Sequence, residues 1–340
     1  MSDEFQVSNQ LENLVDGFGR VARKLRLSVT DRCNFRCSFC MPREPVWLPS
    51  DELLSFEEIL RVVRIFASMG VSRVRLTGGE PLVRAGVERL VKMIAAVEGV
   101  EGVSMTTNGF HLSTYAERLA EAGLKSVTVS LHSLKPEKFD EIVGVRGVFN
   151  RVMAGVAAAR KSGLAVKINV VVVKGCNDDE LFDFAELARE TGMTVRFIEF
   201  MPFDGERSWS IERVVNASKI IEVLSERYQL YPKERESGST ARYYGFKDTQ
   251  TGEIGVISSV SEPFCWDCDR VRVKADGKLV PCLFSRDEYD LKPLLRSGAT
   301  DEEVIRFVRL AFMKKFRGVE TLLRSNGMLE HVRPMHTIGG

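Results

Sequence analysis

Three cysteines fall within the stretch Asp31-Arg32-Cys33-Asn34-Phe35-Arg36-Cys37-Ser38-Phe39-Cys40, at a C-x3-C-x2-C spacing just after the largely apolar stretch 25–29. The number three constrains the fold more than the spacing does. A closed structural zinc site takes four protein ligands, whereas three thiolates on a cubane 4Fe-4S cluster leave one iron open to a small molecule. An open iron implies chemistry at the cluster rather than electron storage. The competing reading is an incomplete zinc knuckle.

A second set repeats the count. Cys265-Trp266-Asp267-Cys268 is followed, after thirteen intervening residues, by Cys282. Residues 269–282 read as two β-type runs about the turn Asp276-Gly277, and the return strand of that hairpin brings Cys282 back beside the first pair. Three thiols again fit a 4Fe-4S cluster with an open iron; a zinc site completed by a distant His is the alternative. Cys176 has no partner at ligand spacing and reads as a small side chain. Seven cysteines in an intracellular chain argue for metal or redox chemistry over structural disulfides.

With 48 Lys and Arg against 47 Asp and Glu, the net charge of +1 supplies no global field for nucleic acid or an anionic membrane. Anion binding must therefore be local. The start, Met1-Ser2-Asp3-Glu4, lacks a cationic segment followed by an apolar one, and apolar runs such as residues 170–173 are far too short to span a bilayer. The expectation is a cytoplasmic protein with neither membrane nor nucleic-acid partners.

From residue 24 to 200, short β-type runs alternate with helical periodicity, which predicts βα units around a parallel sheet. Strands are expected at 25–29, 73–76, 102–106, 126–131, 167–173 and 194–200. Amphipathic helices are expected between them, as at 56–69 and 180–190, with Gly70, Gly123, Gly163 and Gly192 as stops. The motifs Thr77-Gly78-Gly79-Glu80-Pro81, Thr107-Asn108-Gly109, Ser130 with His132, and Met201-Pro202 each follow a strand, as the cysteine loop does. Sites in parallel α/β barrels and open sheets form at the carboxyl ends of the strands, so these segments should converge on one cavity. Periodicity alone leaves a doubly wound open sheet equally acceptable. After Pro202 the composition changes, and a different kind of domain is expected.

Cations occupy several of the expected strands. Arg26, Arg75, Lys167 and Arg196 interrupt apolar patterning, and the alternation in Arg270-Val271-Arg272 puts two guanidiniums on one strand face. Such a pair is usually a solvated face; beside a cluster, inward cations need an anion. A polyphosphate would supply it through charge-assisted hydrogen bonds.

The first cysteine spacing resembles that of the radical S-adenosylmethionine (SAM) superfamily. A narrower resemblance rests on Gly19-Arg20, the stretch from Leu25 to Cys37, Arg75-Leu76-Thr77-Gly78-Gly79-Glu80-Pro81-Leu82, Met105-Thr106-Thr107-Asn108-Gly109, Val166-Lys167-Ile168-Asn169, Arg196-Phe197-Ile198-Glu199-Phe200-Met201-Pro202, the second cysteine set and the terminal Ile338-Gly339-Gly340. Together these are similar to the GTP 3',8-cyclase family of molybdenum cofactor biosynthesis, over nearly the whole chain after about residue 16.

That resemblance implies an α/β fold: a partial (β/α)6 TIM-like radical SAM barrel over 24–202, after an N-terminal segment 1–23. A C-terminal α+β region over 203–340, carrying the second cluster and a Gly-Gly tail, would close it. It implies a lyase with two 4Fe-4S clusters, held by Cys33, Cys37 and Cys40 and by Cys265, Cys268 and Cys282. Phe39, Gly79, Ser130 and Met201 would contact SAM, and the open iron of the second cluster would bind guanine. Arg26, Arg75, Thr106, Lys167, Arg196, Arg270 and Arg272 would contact GTP, with Gly339 and Gly340 threading into the cavity as catalytic tail residues.

In the family, a 5'-deoxyadenosyl radical takes hydrogen from ribose C3', the carbon radical attacks guanine C8, and one further electron and a proton complete the 3',8-cyclic product. Implied partners are GTP, an external one-electron donor, the cyclic pyranopterin monophosphate synthase (MoaC) that receives the product, and a second copy as a homodimer. Two positions depart from the family pattern: His132, where Asp is common, and Phe39, where Tyr is frequent. The alternatives are another radical SAM enzyme with an auxiliary cluster, such as one acting on a peptide, and a non-enzymatic metal module binding RNA through Arg270 and Arg272.

Overall fold

A computed structural model describes residues 13–319 and 333–340. The beginning of the expected N-terminal segment, before residue 13, and residues 320–332 of the expected C-terminal region lie outside it. The parallel half of the chain alternates as expected: β1 (Lys24–Ser28), α1 (Phe56–Ser68), β2 (Arg73–Thr77), α2 (Val87–Ala95), β3 (Gly102–Thr107), α3 (Leu112–Glu121), β4 (Leu124–Ser130), α4 (Pro136–Val143), α5 (Phe149–Lys161), β5 (Ala165–Val172), α6 (Leu181–Thr191) and β6 (Thr194–Glu199). Helix α1 starts where Ser55 and Glu58 form a reciprocal capping box, and it buries Ile59, Val63 and Phe66. The four expected stops, Gly70, Gly123, Gly163 and Gly192, all take positive φ.

Beyond residue 202 follow α7 (Ala217–Ser225), β7 (Leu230–Pro232), β8 (Arg242–Phe246), β9 (Glu253–Ile257), β10 (Arg270–Val273), β11 (Lys278–Val280), β12 (Tyr289–Asp290), α8 (Lys292–Arg296) and α9 (Asp301–Met313). Hydrogen bonding does not stop where the composition changes. One twelve-stranded sheet runs β12-β11-β10-β1-β2-β3-β4-β5-β6-β9-β8-β7. β9 pairs parallel with β6 and β10 parallel with β1, so strands from the late part of the chain satisfy both edges of the six-stranded parallel sheet. β10 and β11 form the expected antiparallel hairpin, with Gly277 at φ 82 in its turn.

Side chains divide by sheet face. Along β5, Val166, Ile168, Val170 and Val172 are buried in the main core, while Lys167, Asn169 and Val171 line a cavity on the other side. Register then sets the cations in rows. Arg26 lies directly between Arg272 on β10 and Arg75 on β2, and Lys24 between Arg270 and Arg73. Among the described residues, no helix is long and apolar enough to cross a membrane.

Candidate active site

The first cysteine loop is held by backbone contacts. The Arg36 N–H donates to the Val143 carbonyl at 2.8 Å, and the Ser38 N–H to the Ile142 carbonyl at 3.2 Å, which ties the loop to the end of α4. Gly78 and Gly79 run against its other side: a Cβ on Gly78 would lie 2.2 Å from the Thr30 carbonyl oxygen, and one on Gly79 2.3 Å from that of Asp31. The family resemblance implies that Gly79 contacts SAM. In the structure both glycines also line the cavity, but the backbone they admit is the cysteine loop itself.

Glu80, buried after them, accepts hydrogen bonds from Thr107 Oγ1 at 2.7 Å and the Asn108 N–H at 2.6 Å. The Asn108 amide donates in turn to Cys33 Sγ at 3.8 Å. Burial raises the Glu80 carboxyl to about 7.

The cavity, about 870 Å³ in volume, joins this loop to the cation rows. It is near the upper end of usual small-molecule sites. Cys33, Cys37, Cys40, Phe39, Gly79, Ser130 and Met201 line it, as do Arg26, Arg75, Thr106, Lys167, Arg196, Arg270, Arg272 and Gly340. Arg75 and Arg196 reach from β2 and β6 to the same Thr128 hydroxyl, at 3.0 and 3.1 Å, and Asn169 accepts from Arg196 at 2.9 Å. Arg26 makes no side-chain hydrogen bond or ion pair among the described residues. Burial, and then Arg272 and Arg75, push its guanidinium well below the usual arginine range. Burial lowers Arg75 to about 10, helped by Arg196, and lowers Arg272 to about 10, helped by Arg270. Like charges held this close in a desolvated site make an anion trap: a bound polyanion relieves their repulsion.

Cys265, Cys268, Cys282 and Gly339 stand behind the cavity wall, while their neighbours Phe264, Leu283 and Gly340 line it. Arg20 fastens the second cysteine loop, donating to the carbonyls of Cys265 at 2.7 Å and Phe316 at 2.9 Å. The Cys268 thiol accepts from Arg270 Nη2 at 3.2 Å and from Lys315 Nζ at 3.5 Å. The chain end inserts between the two loops. The Met335 N–H donates to the Cys40 carbonyl at 3.0 Å, Arg272 Nη1 donates to the Gly339 carbonyl at 2.8 Å, and the Thr77 hydroxyl donates to the Gly340 oxygen at 2.8 Å.

Among the described residues, no three His, Cys, Asp or Glu side chains converge as they would around a single metal ion. The chemistry of each thiol set fits an anionic cluster: N–H groups point at sulfur, from Phe35 and Asn108 to Cys33 and from Arg270 and Lys315 to Cys268. Burial holds most of these thiols protonated, raising Cys33 to about 11, Cys40 to about 12 and Cys282 to about 11. Burial also opposes ionisation of Cys268, but Arg270 and Lys315 outweigh it and bring that thiol down to about 6. Loading iron therefore releases protons.

The two family departures touch each other. Phe39 meets the His132 ring edge-on, with centroids 4.5 Å apart. His132 Nδ1 accepts the Val171 N–H at 3.2 Å, so the neutral ring carries its proton on Nε2. Burial drops the imidazole from the ordinary 6.5 to about 3. An unfolded chain takes up this proton near pH 6.5 and the folded one only near 3, so stability present above 6.5 is lost as pH falls through that window. The slope is about 1.4 kcal/mol per pH unit. His132→Asn, which keeps an acceptor near Nδ1, should lack this contribution; urea unfolding from pH 4 to 7 measures it, and parallel curves for both proteins would contradict it.

Sequence reasoning placed the motif holding Asn108 at the cavity without giving that residue a role, and it missed Thr128, Asn169 and Lys315 as site residues. Asn108 and Asn169 follow or occupy expected strands on the same face as flagged cations, the one signal available for them; Lys315 carries none.

The radical SAM superfamily model matches residues 27–188, and the Molybdenum Cofactor Synthesis C model matches residues 193–320. A solved structure of SuiB from Streptococcus suis, bound to its precursor peptide, superimposes with a TM-score of 0.64 at 15% identity, covering 94% of this chain and 77% of that one. At that identity the likeness shows the fold alone, a radical SAM α/β fold with a parallel sheet.

Sequence relatives are more specific. GTP 3',8-cyclase of Thermodesulfovibrio yellowstonii is 42% identical over 96% of this chain and 99% of the relative. Molybdenum cofactor biosynthesis protein 1 of Mus musculus is also 42% identical over 96% of this chain, which spans 51% of that longer protein. The chain belongs to the GTP 3',8-cyclase family.

Proposed function

We propose that the chain is a radical SAM lyase that converts GTP to (8S)-3',8-cyclo-7,8-dihydroguanosine 5'-triphosphate, the first step of molybdenum cofactor biosynthesis. The observation that carries this reading is the shared cavity: the first thiol set and six buried or half-buried cations line one chamber. SAM is the cosubstrate and GTP the substrate.

Cys33, Cys37 and Cys40 would hold the first 4Fe-4S cluster, and Cys265, Cys268 and Cys282 a second, with guanine on its open iron. When bound, the first cluster supplies the electron that splits SAM to methionine and the 5'-deoxyadenosyl radical. Phe39, Gly79, Ser130 and Met201 orient SAM on the side of the cavity next to the first thiols. The row Arg272, Arg26 and Arg75, with Lys167 and Arg196, neutralises the triphosphate and fixes the ribose; Thr106 adds a hydroxyl beside Arg75, 3.4 Å from its Nη1. The protein's contribution is position: it brings two reacting centres together and keeps water from a radical.

Gly339 and Gly340 lie against Arg272 and Thr77, which suits them to hold that row in register. The closed partial barrel, the division at 23 and 202, the homodimer, the external electron donor, delivery of product to a cyclic pyranopterin monophosphate synthase and a cytoplasmic setting belong to the same reading.

Anaerobic incubation of the iron-loaded chain with dithionite, SAM and GTP should give 5'-deoxyadenosine and, after acid oxidation, a fluorescent pterin. Deoxyadenosine without pterin would contradict this function and favour a different radical SAM reaction.

A further inference from the structure

Lys315 is 2% exposed, and no carboxylate pairs with it among the described residues. Its ammonium donates to the Arg270 carbonyl at 2.8 Å, to the Cys268 carbonyl at 3.2 Å and to Cys268 Sγ at 3.5 Å, so its three protons are all committed to one turn of chain. An ammonium buried without a counter-ion among the described residues is costly, and the groups near it that are able to carry negative charge are the thiols of Cys282 and of Cys268, the one it touches. Arg270 donates to the same sulfur at 3.2 Å.

The first thiol set is surrounded differently. Its donors to Cys33 are a backbone N–H and the Asn108 amide, and the main chain of Asn108 is anchored on the Glu80 carboxylate. The cation nearest Cys33, Arg36, donates to its carbonyl at 2.9 Å and not to its sulfur, so the Cys268 sulfur is touched by two cations, while the Cys33 sulfur is touched by neutral donors with an acid behind them.

We infer that Lys315 is a positioning residue for the second cysteine set: it holds Cys268 in place and makes the cluster bound there the easier of the two to reduce. This rests on the two-cluster reading above. Adding one electron to a 4Fe-4S cluster forms and breaks no bond; it adds one negative charge, which hydrogen bonds to sulfur and nearby cations stabilise. The compact lysine head suits this role, since it serves two carbonyls and the sulfur from one point.

The test is potentiometric electron paramagnetic resonance on the full iron-loaded chain, with dithionite supplying the electron. Wild type is compared with Lys315→Met, which removes both charge and donor, and Lys315→Gln, which keeps a donor. A chain with Cys33, Cys37 and Cys40 all replaced by Ala assigns the second cluster's wave. At full iron content, Lys315→Met should lower the reduced-to-oxidised ratio of that cluster about tenfold at fixed potential, equivalent to about 59 mV for one electron. Lys315→Gln should shift it less, and SAM cleavage should persist in both.

Loss of the second cluster alone, with SAM cleavage intact, would also support the holding role. An unmoved potential at full iron overturns the inference, as does global unfolding of both variants. A wild type holding a single cluster sinks both this inference and the two-cluster reading, whereas two clusters with an unmoved wave sink the lysine alone.

Discussion

Replacing Arg272 by Ala is expected to cut GTP cyclisation about a hundredfold or more while leaving the melting temperature of the fold unchanged or raised. The two halves of that result have one cause. Arg272 is 5% exposed and sits in register beside Arg26, with Arg270 on its own strand, so in the empty cavity it is crowded by like charge. Its removal relieves repulsion in the apo-protein. On the proposed reading the same guanidinium would make charge-assisted hydrogen bonds to the triphosphate, each contributing roughly 1.5–3 kcal/mol, and its removal also frees the Gly339 carbonyl that it holds at 2.8 Å. Steady-state kcat/KM for GTP and calorimetric melting measure the two effects. Cyclisation near the wild-type rate, or a large fall in melting temperature with activity retained, would show Arg272 to be structural.

Gly339→Ala should be nearly as damaging by a different route. Gly339 has φ 84, and a Cβ there would lie 2.3 Å from Ser28 Oγ and 2.7 Å from Thr77 Cγ2. Left-handed backbone costs a non-glycine residue roughly 1–2 kcal/mol, and the collision with two strand ends adds to it. The tail would leave its slot, taking with it the oxygens held by Arg272 and Thr77. A displacement of about 1 Å near reacting atoms costs on the order of a hundredfold in rate. Because the tail contacts Arg272, the arginine proposed to bind GTP, and supplies no charge of its own for the phosphates, GTP affinity should change only a few-fold. SAM should still be cleaved, with deoxyadenosine formed and little pterin. Equal loss of both products would mean that the tail supports the fold rather than the coupling of the two reactions.

Much of this arrangement was legible in the chain because its signals are local. Strand ends came within about two residues, since apolar alternation and helix-stopping glycines act over a few positions. Both cysteine spacings stand out in the chain, their use as cluster ligands belonging to the proposed function, and the cations were conspicuous in strands that should be apolar. What the chain does not disclose is register. That Arg26 stands between Arg75 and Arg272 depends on β10 pairing parallel with β1, a contact between residues far apart in sequence.

For the same reason the composition change after Pro202 announces a different kind of domain but not that its strands β9 and β10 extend the sheet beyond β6 and β1. Gly78-Gly79 announces a close backbone approach but not whose; the answer, the backbone of Thr30 and Asp31, lies in the packing of two loops. Lys315 is silent in sequence because a lysine just past an amphipathic helix reads as a solvated partner of the helix dipole. His132 was visible after a strand and as a departure, but its ring contact with Phe39, which brings the two departures together, was not.

The most direct measurement is electron-nuclear double resonance on the fully iron-loaded, oxygen-free chain, reduced in the presence of GTP labelled with 15N in its base. Two open cubanes around one chamber predict two distinguishable cluster signals, with nitrogen hyperfine coupling from the base on the cluster at Cys265, Cys268 and Cys282. A single cluster per chain after full iron loading, or two clusters with no nitrogen coupling at either, would contradict the account.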